Sequence, residues 1–189
     1  MATATDVLRK EHDAILRMLE VTDQVAEQLD RGEKVAPGTL DDLLEFFRLF
    51  ADRCHHGKEE ELLFPALERK GMPRQAGPIG IMLIEHERGR ALIQQMAQEG
   101  TAYAAGTAGA AGRWSQAARG YVQLLREHIY KENNILFVLA EQILTGSEQQ
   151  ELAAAFDQVE EEKMGAGTHE RLHALIDKLT AEVYASRRS

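Results

Sequence analysis

The chain has 189 residues, of which 44% are hydrophobic and 28% are charged, and its 31 Asp and Glu against 22 Lys and Arg give a formal charge of −9. This length is sufficient for one domain with a full hydrophobic core. The excess of acidic residues argues against nucleic acid and against an anionic membrane surface as partners. The single cysteine, Cys54, excludes a disulfide framework and any cysteine-ligated zinc or iron–sulfur site within one chain.

Two helices are predicted in the N-terminal part of the chain, where apolar residues recur with the 3.6-residue period. The first covers about residues 5–31 and ends at Gly32. The second begins with Thr39 as its N-cap residue and continues to about residue 70. Pro65 lies within this helix and is predicted to kink it or to mark a local break.

The rest of the chain is also predicted to be helical. The stretch 100–112 is rich in Ala, Gly and Thr and is predicted to be a loop. Ser147 and Gln150 have the spacing of a capping box and indicate the start of a shorter helix. The helices predicted here cover about residues 79–98, 113–144, 147–163 and 168–186.

These elements predict an all-α protein, since the commonest residue types are good helix formers. Four long helices joined by short links favour an up-down-up-down four-helix bundle over about residues 5–145. One or two extra C-terminal helices, at about 147–186, complete a single domain of residues 1–189. Neither a signal peptide nor a membrane span is predicted from the apolar stretches, so we expect a cytoplasmic protein.

Each of the four long helices carries histidine on its apolar face. His12 lies between Leu8 and Ile15 on the first helix, for example. In a bundle such faces point toward the common axis, so these imidazoles are predicted to converge. The residues concerned are His12, either His55 or His56, His86 and His128.

A histidine–glutamate pair is repeated on the second and fourth helices. His55 and Glu59 align without a gap with His128 and Glu132, within two segments that share Lys-Glu, an aliphatic pair and Phe. A spacing of four residues puts both side chains of a pair on one helix face. A repeated pair of this kind is what a dinuclear site with two-fold-like symmetry needs.

The first pair has a rival register, because His56 and Glu60 have the same spacing. We prefer His55 with Glu59, since the residue four positions before His55 is the apolar Ala51. The residue at the corresponding position before His56 is Asp52, which suits water better than a core.

Converging imidazoles and carboxylates indicate a metal site. Carboxylates in the middle of a bundle must be neutralised, hydrogen-bonded or bound to metal. Mixed imidazole and carboxylate ligands suit iron, manganese or zinc, and the absence of thiolate argues against copper(I) and structural zinc. Carboxylates from facing helices can hold two metal ions close together.

The motifs Glu11-His12, His55 with Lys58-Glu59-Glu60, Glu85-His86, and His128 with Lys131-Glu132-Asn133 resemble the hemerythrin-like family, also called the HHE cation-binding family. The resemblance covers about residues 5–140. It implies a non-haem centre of two iron ions with oxo or hydroxo and carboxylate bridges. The ligands that it implies are His12, His55, Glu59, His86, His128 and Glu132.

The sequence departs from that of oxygen-carrying hemerythrins, which are similar but have a second histidine one turn after the ligand of the third helix. Arg90 stands at this position here. One imidazole fewer is predicted to leave an open metal position, which argues against reversible oxygen carriage. The position is available to water, to peroxide or to a further protein ligand, for which the candidates are His56, Glu60, Glu87 and His169.

Three functions are compatible with these residues. The first is a di-iron protein that handles or senses O₂, peroxide, nitric oxide or iron itself, with a small diatomic or peroxide molecule as its partner. The second is an enzyme with peroxidase-like, catalase-like or oxidase activity. The third is a helical interaction module whose metal is structural or absent.

Two other features are interpreted without a function. Cys54 is predicted to be a small buried thiol rather than a redox switch. His169 and His173 share a helix face and are interpreted as surface histidines, with an extra metal pair as the alternative.

Overall fold

Helices form every regular element that the computed structural model contains in the residues it describes, 2–165 and 167–185. The predicted all-α class is therefore confirmed. The α helices are α1 (Ala4–Asp30), α2 (Pro37–Phe46), α3 (Phe64–Arg69), α4 (Gly77–Ala104), α5 (Ala110–Lys131), α6 (Phe137–Ile143), α7 (Gly146–Met164) and α8 (Thr168–Ala185).

Three π-helical segments continue the α helices. Phe47–His56 and Glu59–Leu63 lie between α2 and α3, and residues 37–69 together form what we call the second rod. Glu132–Leu136 joins α5 to α6, and residues 110–143 form the fourth rod. In a π turn the backbone hydrogen bond spans five residues instead of four, so the helix is locally wider. Pro65 follows the second of these segments, so a change of helix type occurs near the predicted break.

Two of the predicted helix starts are wrong. The second rod begins at Pro37 rather than after Thr39, because proline suits the first helical turn, where its missing N–H is not needed. The capping box of α7 is formed by Thr145 and Glu148 rather than by Ser147 and Gln150. Thr145 has the extended backbone of an N-cap residue, and its side chain accepts a hydrogen bond from the Glu148 N–H.

The predicted loop at 100–112 is mostly helical. α4 continues to Ala104 and α5 begins at Ala110, so the connection is limited to residues 105–109. Gly100 lies against the indole of the buried Trp114, and a Cβ at this glycine would lie 3.7 Å from that ring. The small residues therefore allow the two helices to approach closely, which is a packing role rather than a loop signal.

Two apolar clusters lie on either side of a polar layer. One contains Leu8 and Phe137, and the other contains Ile15 and Leu125. The histidines of α1 and α5 fall between these residues in the sequence, so the polar layer is enclosed from both ends. The C-terminal helices contribute to the same clusters, α7 through Phe156 and α8 chiefly through Ile176.

None of the helices in the described ranges is long and apolar enough to cross a membrane. The cytoplasmic location and the single-domain organisation stay predictions.

Candidate metal centre

Two glutamates lie fully buried inside the bundle. Glu59 and Glu132 each begin a π-helical segment, on the second and fourth rods, and both are 0% exposed. None of their four carboxylate oxygens has a hydrogen-bond partner among the described residues. Leaving an ionised carboxylate in such a place is costly unless a proton or a cation compensates it. These two side chains therefore require positive charge.

Four histidines surround the glutamates as two pairs. In the first pair the Nε2 atoms of His12 and His55 lie 3.0 Å apart. In the second pair the Nε2 atoms of His86 and His128 lie 3.2 Å apart. All four rings are 1% exposed, so each pair directs its Nε2 atoms into the space around the carboxylates.

The other nitrogen of each buried imidazole faces an oxygen acceptor. A fifth histidine, His56, follows the same rule. A carboxylate or amide oxygen can only accept, so Nδ1 carries a proton, and in the neutral ring Nε2 keeps its lone pair. The Nδ1 contacts are His12 to Asn133 at 2.9 Å, His55 to Glu11 at 2.8 Å, His56 to Asp52 at 3.4 Å, His86 to Glu60 at 2.6 Å, and His128 to Glu85 at 3.0 Å.

This arrangement fits a metal ion. The two oxygens of Glu132 lie 3.1 Å from Nε2 of His12 and 3.1 Å from Nε2 of His128. When both rings are neutral and protonated at Nδ1, lone pairs face lone pairs across these distances, so either a second proton on a ring, as the raised pKa of His128 favours, or a metal ion must lie between them. Metal-ligating histidines characteristically donate their second N–H to a carboxylate or carbonyl, which fixes the ring and raises its basicity as a ligand. The donor set of imidazoles and carboxylates suits iron, manganese or zinc.

The outer contacts of the two pairs follow the internal repeat. Glu11 on α1 contacts both His55 and Lys58, and Glu85 on α4 contacts both His128 and Lys131. The residues after the two central glutamates, Glu60 and Asn133, hold the remaining rings. The repeated sequence motifs thus build two similar halves around one polar layer.

Charge within the layer is unevenly distributed. Burial and the neighbouring Glu132 raise the pKa of Glu59 well above its ordinary value. Burial would do the same to Glu132, but His128 and His12 hold its pKa well below the ordinary value. Against the effect of burial, the charges of Glu132 and Glu85 raise the pKa of His128 to about 9. Burial lowers the pKa of His55 to about 4. Two adjacent carboxylates therefore do not ionise independently.

The structure brings all six predicted ligands together in two groups. Within each group, one potential ligand atom per residue lies within 4.8 Å of the others. Glu59 belongs to both groups, so the side chains offer two adjacent metal positions with a shared carboxylate. The groups are His12, His55, Glu59 and Glu132, and His56, Glu59, His86 and His128.

His56 is the member of these groups that the preferred register left out. Its ring is 4% exposed and stacks on His86, with centroids 3.9 Å apart. Both His55 and His56 face inward because they end a π-helical segment. A π turn holds more residues than the 3.6 of an α turn, so adjacent side chains diverge less around the axis. Both rings therefore reach the layer, and the preference for His55 with Glu59 as metal ligands stays a prediction.

One sequence signal could have identified His56. In the repeat alignment it corresponds to Ile129, and that residue is 3% exposed. An apolar counterpart on the fourth rod indicates that this position faces the interior.

The other candidates for the open metal position lie elsewhere. Glu60 holds His86 and pairs with Arg90, which places it outside the ring of Nε2 atoms. Glu87 is an exposed partner of Arg90. His169 contacts Glu160 on α7, away from the polar layer.

Cys54 lies next to the first pair without joining it. The thiol is buried, as predicted, and burial raises its pKa to about 12. It shares its surroundings with Glu11 and Glu160, whose charges Lys58 balances. Because Lys58 already compensates both carboxylates and the thiol is neutral, we interpret Cys54 as a packing residue.

Comparison with known proteins identifies the family. The hemerythrin HHE cation-binding domain matches residues 3–140. The chain belongs to this family. No solved structure matches it significantly.

Two kinds of curated protein are similar to the chain. The uncharacterized protein Mb2018 of Mycobacterium bovis is 23% identical over 177 residues, which cover 94% of this chain and 68% of that protein. The uncharacterized protein Rv1995 of Mycobacterium tuberculosis gives the same values. The iron–sulfur cluster repair protein YtfE of Yersinia pestis is 34% identical over 142 residues, which cover 69% of this chain and 61% of YtfE. These findings and the buried His and Glu groups support an iron-binding protein.

Proposed function

We propose that this hemerythrin-like chain is a non-haem di-iron protein that handles or senses O₂, peroxide, nitric oxide or iron. The observation that carries the proposal is the orientation of five buried imidazoles, each held at Nδ1, around two carboxylates that lack hydrogen bonds. In this assignment His12 and His55 bind one iron, while His56, His86 and His128 bind the other.

We assign Glu59 and Glu132 as bridging ligands. Glu59 belongs to both ligand groups. The two oxygens of Glu132 face opposite halves of the layer, one toward His12 and the other toward His128. A carboxylate oriented in this way can bind one metal ion through each oxygen. The negative charge of both glutamates would offset the repulsion between two bound cations.

We also propose that the long helices alternate in direction along the chain, in the order α1, second rod, α4 and fourth rod, as the short links favour. Contacts in opposite order along the helices support this topology. On α4 and α5, Glu99 contacts Arg113 while Glu85 contacts His128. On the second rod and α4, Asp52 contacts Arg90 while Glu60 contacts His86. On α1 and the fourth rod, Asp30 contacts Arg119 while Arg9 contacts Glu141.

The surroundings determine what the bound metal can react with. Apolar clusters enclose the polar layer at both ends, so small uncharged molecules can reach it more readily than large polar ones. The protein side chains orient the ligands and hold protons at the five Nδ1 atoms. Iron, when bound, supplies the redox chemistry and the binding of small oxidants.

Rapid mixing of the iron(II)-loaded chain with O₂, peroxide or nitric oxide tests this proposal. We expect at least one of these molecules to change the absorbance. The change should be complete when about one molecule has reacted per pair of iron ions. The iron-depleted protein is the control and is expected to give no such change. Sustained conversion of many equivalents of peroxide would favour the enzyme instead, and an unreactive iron-loaded protein would contradict the proposed function.

A second candidate function is supply of iron for repair of iron–sulfur clusters. The identity of 34% to YtfE over 142 residues favours it. Incubation of the iron-loaded chain with an oxidatively damaged [4Fe–4S] enzyme tests this role. Recovery of enzyme activity beyond that given by free iron(II) at the same concentration is the result expected from this candidate.

A further inference from the structure

A third pair of histidines lies outside the buried centre, on α8. His169 and His173 are one helical turn apart, and their Nε2 atoms approach to 3.2 Å. The His169 side chain is 35% exposed and His173 is exposed, so an ion in solution can reach both rings.

The surface pair repeats three features of the buried pairs. Its Nε2 atoms are as close as the 3.0 and 3.2 Å of the first and second pairs. A carboxylate lies beside Nδ1 of one imidazole, in this case Glu160 at 3.2 Å from His169. One ring also stacks on a phenylalanine, since Phe50 lies 5.7 Å from His169 with an angle of 4° between the planes. The corresponding stack of the first pair, Phe137 on His12, has 5.4 Å and 7°.

The pair borders an acidic cavity of about 510 Å³. This space leaves room for water molecules beside the rings. Four carboxylates and one ammonium are among the side chains that line it, and the ammonium of Lys58 contacts two of these carboxylates from behind, so the surroundings keep an excess of negative charge that favours cations. The charged lining residues are Asp6, Lys10, Glu11, Asp157 and Glu160.

We propose that His169 and His173 chelate a divalent first-row transition-metal ion through their Nε2 atoms. The carboxylate of Glu160, 3.2 Å from Nδ1 of His169, favours a proton on that nitrogen and so leaves the Nε2 lone pair of that ring for the ion. Water completes the coordination, and the two imidazoles select zinc, copper, nickel or iron over magnesium and calcium. The site uses none of the buried ligands, so it does not depend on the proposed di-iron function.

Zinc titration of the iron-loaded, full-length chain by calorimetry tests the site, with iron content measured before and after. We expect one equivalent of Zn²⁺ to bind without release of iron. Glutamine is similar in size to histidine and is compatible with a helix. His169→Gln and His173→Gln are each expected to abolish binding of this one Zn²⁺ ion. Glu160→Gln is expected to weaken it about 10- to 100-fold, as removal of an outer hydrogen-bond partner does. Glu182→Gln, which removes an exposed carboxylate of the same helix, is the matched control and leaves the affinity unchanged.

Three results would overturn the proposal. The wild-type chain could bind no zinc beyond its iron, or zinc could bind only as iron is lost, which would assign it to the buried centre. Equal zinc binding by the wild type and both histidine variants would also contradict the site. Circular dichroism of each variant verifies that loss of zinc is not loss of the helix.

Discussion

The ammonium of Lys58 donates a hydrogen bond to the carboxylate of Glu11 inside the bundle, where Lys58 is 1% exposed. Glu11 accepts a second hydrogen bond from Nδ1 of His55, at 2.8 Å, and Lys58 also contacts Glu160 at 3.0 Å. Although burial opposes its charge, Glu11 raises the pKa of Lys58 above the ordinary value. A series of charged side chains, Glu160, Lys58 and Glu11, therefore connects the surface to the proposed iron ligand His55.

Lys58→Met is expected to destabilise the protein by about 3–5 kcal/mol, because it leaves the buried charge of Glu11 without its partner. Lys131→Met removes the equivalent lysine of the fourth rod, whose side chain is 30% exposed. We expect a smaller loss of unfolding free energy for this control, since water can solvate the Glu85 carboxylate that Lys131 contacts. Urea unfolding of both variants measures the difference. Equal free energies of unfolding would contradict the buried ion pair.

Glu59→Ala is expected to remove or halve the bound iron, because it deletes a carboxylate shared by both ligand groups. Glu60→Ala removes only the acceptor for Nδ1 of His86 and is expected to weaken metal binding about 10- to 100-fold. Glu61→Ala, at an exposed position, is the control and leaves the iron content unchanged. Metal analysis of the three variants gives the ranking. A larger effect for Glu60 than for Glu59 would transfer the bridge to Glu60.

The fold and most of the centre could be predicted because repetition reinforces weak signals. A lone histidine on an apolar face is weak evidence for a metal site. The evidence is stronger here because His55 with Glu59 and His128 with Glu132 occupy matching positions on two rods. Their convergence follows from helix geometry alone. The presence of two groups sharing Glu59 could not be predicted, since it depends on the relative positions of the rods.

The features that were not predicted, the inward position of His56 and the helix around Gly100, depend on local backbone geometry that the sequence pattern does not reveal. The π-helical segment Phe47–His56 changes which side chains face inward, and the sequence carries no signal for the wider hydrogen-bond spacing. Similarly, the sequence alone suggests that Gly100 interrupts a helix, whereas in the structure this glycine lies within a helix and packs against the indole of Trp114. In both cases tertiary packing overrides the local preference.

His56→Ala is expected to lower the iron content from about two per chain toward one, since it removes an imidazole from the group of His86 and His128. The residue at the same place in the repeat is Ile129, so an apolar side chain is compatible with the fold there. His56→Leu therefore serves as a variant that keeps the packing. Full iron occupancy in both variants would exclude His56 as a ligand and would restore the open position expected from the sequence.

The iron-depleted protein is expected to be most stable near neutral pH. Glu59 and His128 have raised pKa values, the latter about 9, so the stability that they contribute is present at low pH and lost as pH rises toward 9. His55 has a lowered pKa of about 4, so its contribution is lost as pH falls below the ordinary histidine value of about 6.5. Melting temperatures from pH 5 to 9 provide the measurement. Glu59→Gln is expected to flatten the alkaline side of the profile, and a stability that rises steadily toward pH 9 would contradict these signs.

Bound iron is expected to raise the melting temperature, because it binds the folded state and neutralises the buried glutamates. At neutral pH, His128→Ala is expected to lower the iron content and the melting temperature of the iron-loaded protein together. The iron-depleted variant is expected to melt below the iron-depleted wild type as well, because it leaves the buried Glu132 without the positive charge of His128, but the difference is expected to be smaller than between the iron-loaded forms. Equal melting of iron-loaded and iron-depleted wild type would mean that the buried histidines and glutamates are ordinary packing residues.

Metal quantitation of the full chain by mass spectrometry, on protein purified both with and without oxygen, tests the di-iron assignment most directly. Optical spectra of the same samples identify the state of the metal. The two ligand groups that share Glu59 predict about two iron ions per chain, with a difference between the spectra of the two preparations. Trace iron after growth in iron-replete medium, or one zinc ion alone, would contradict it.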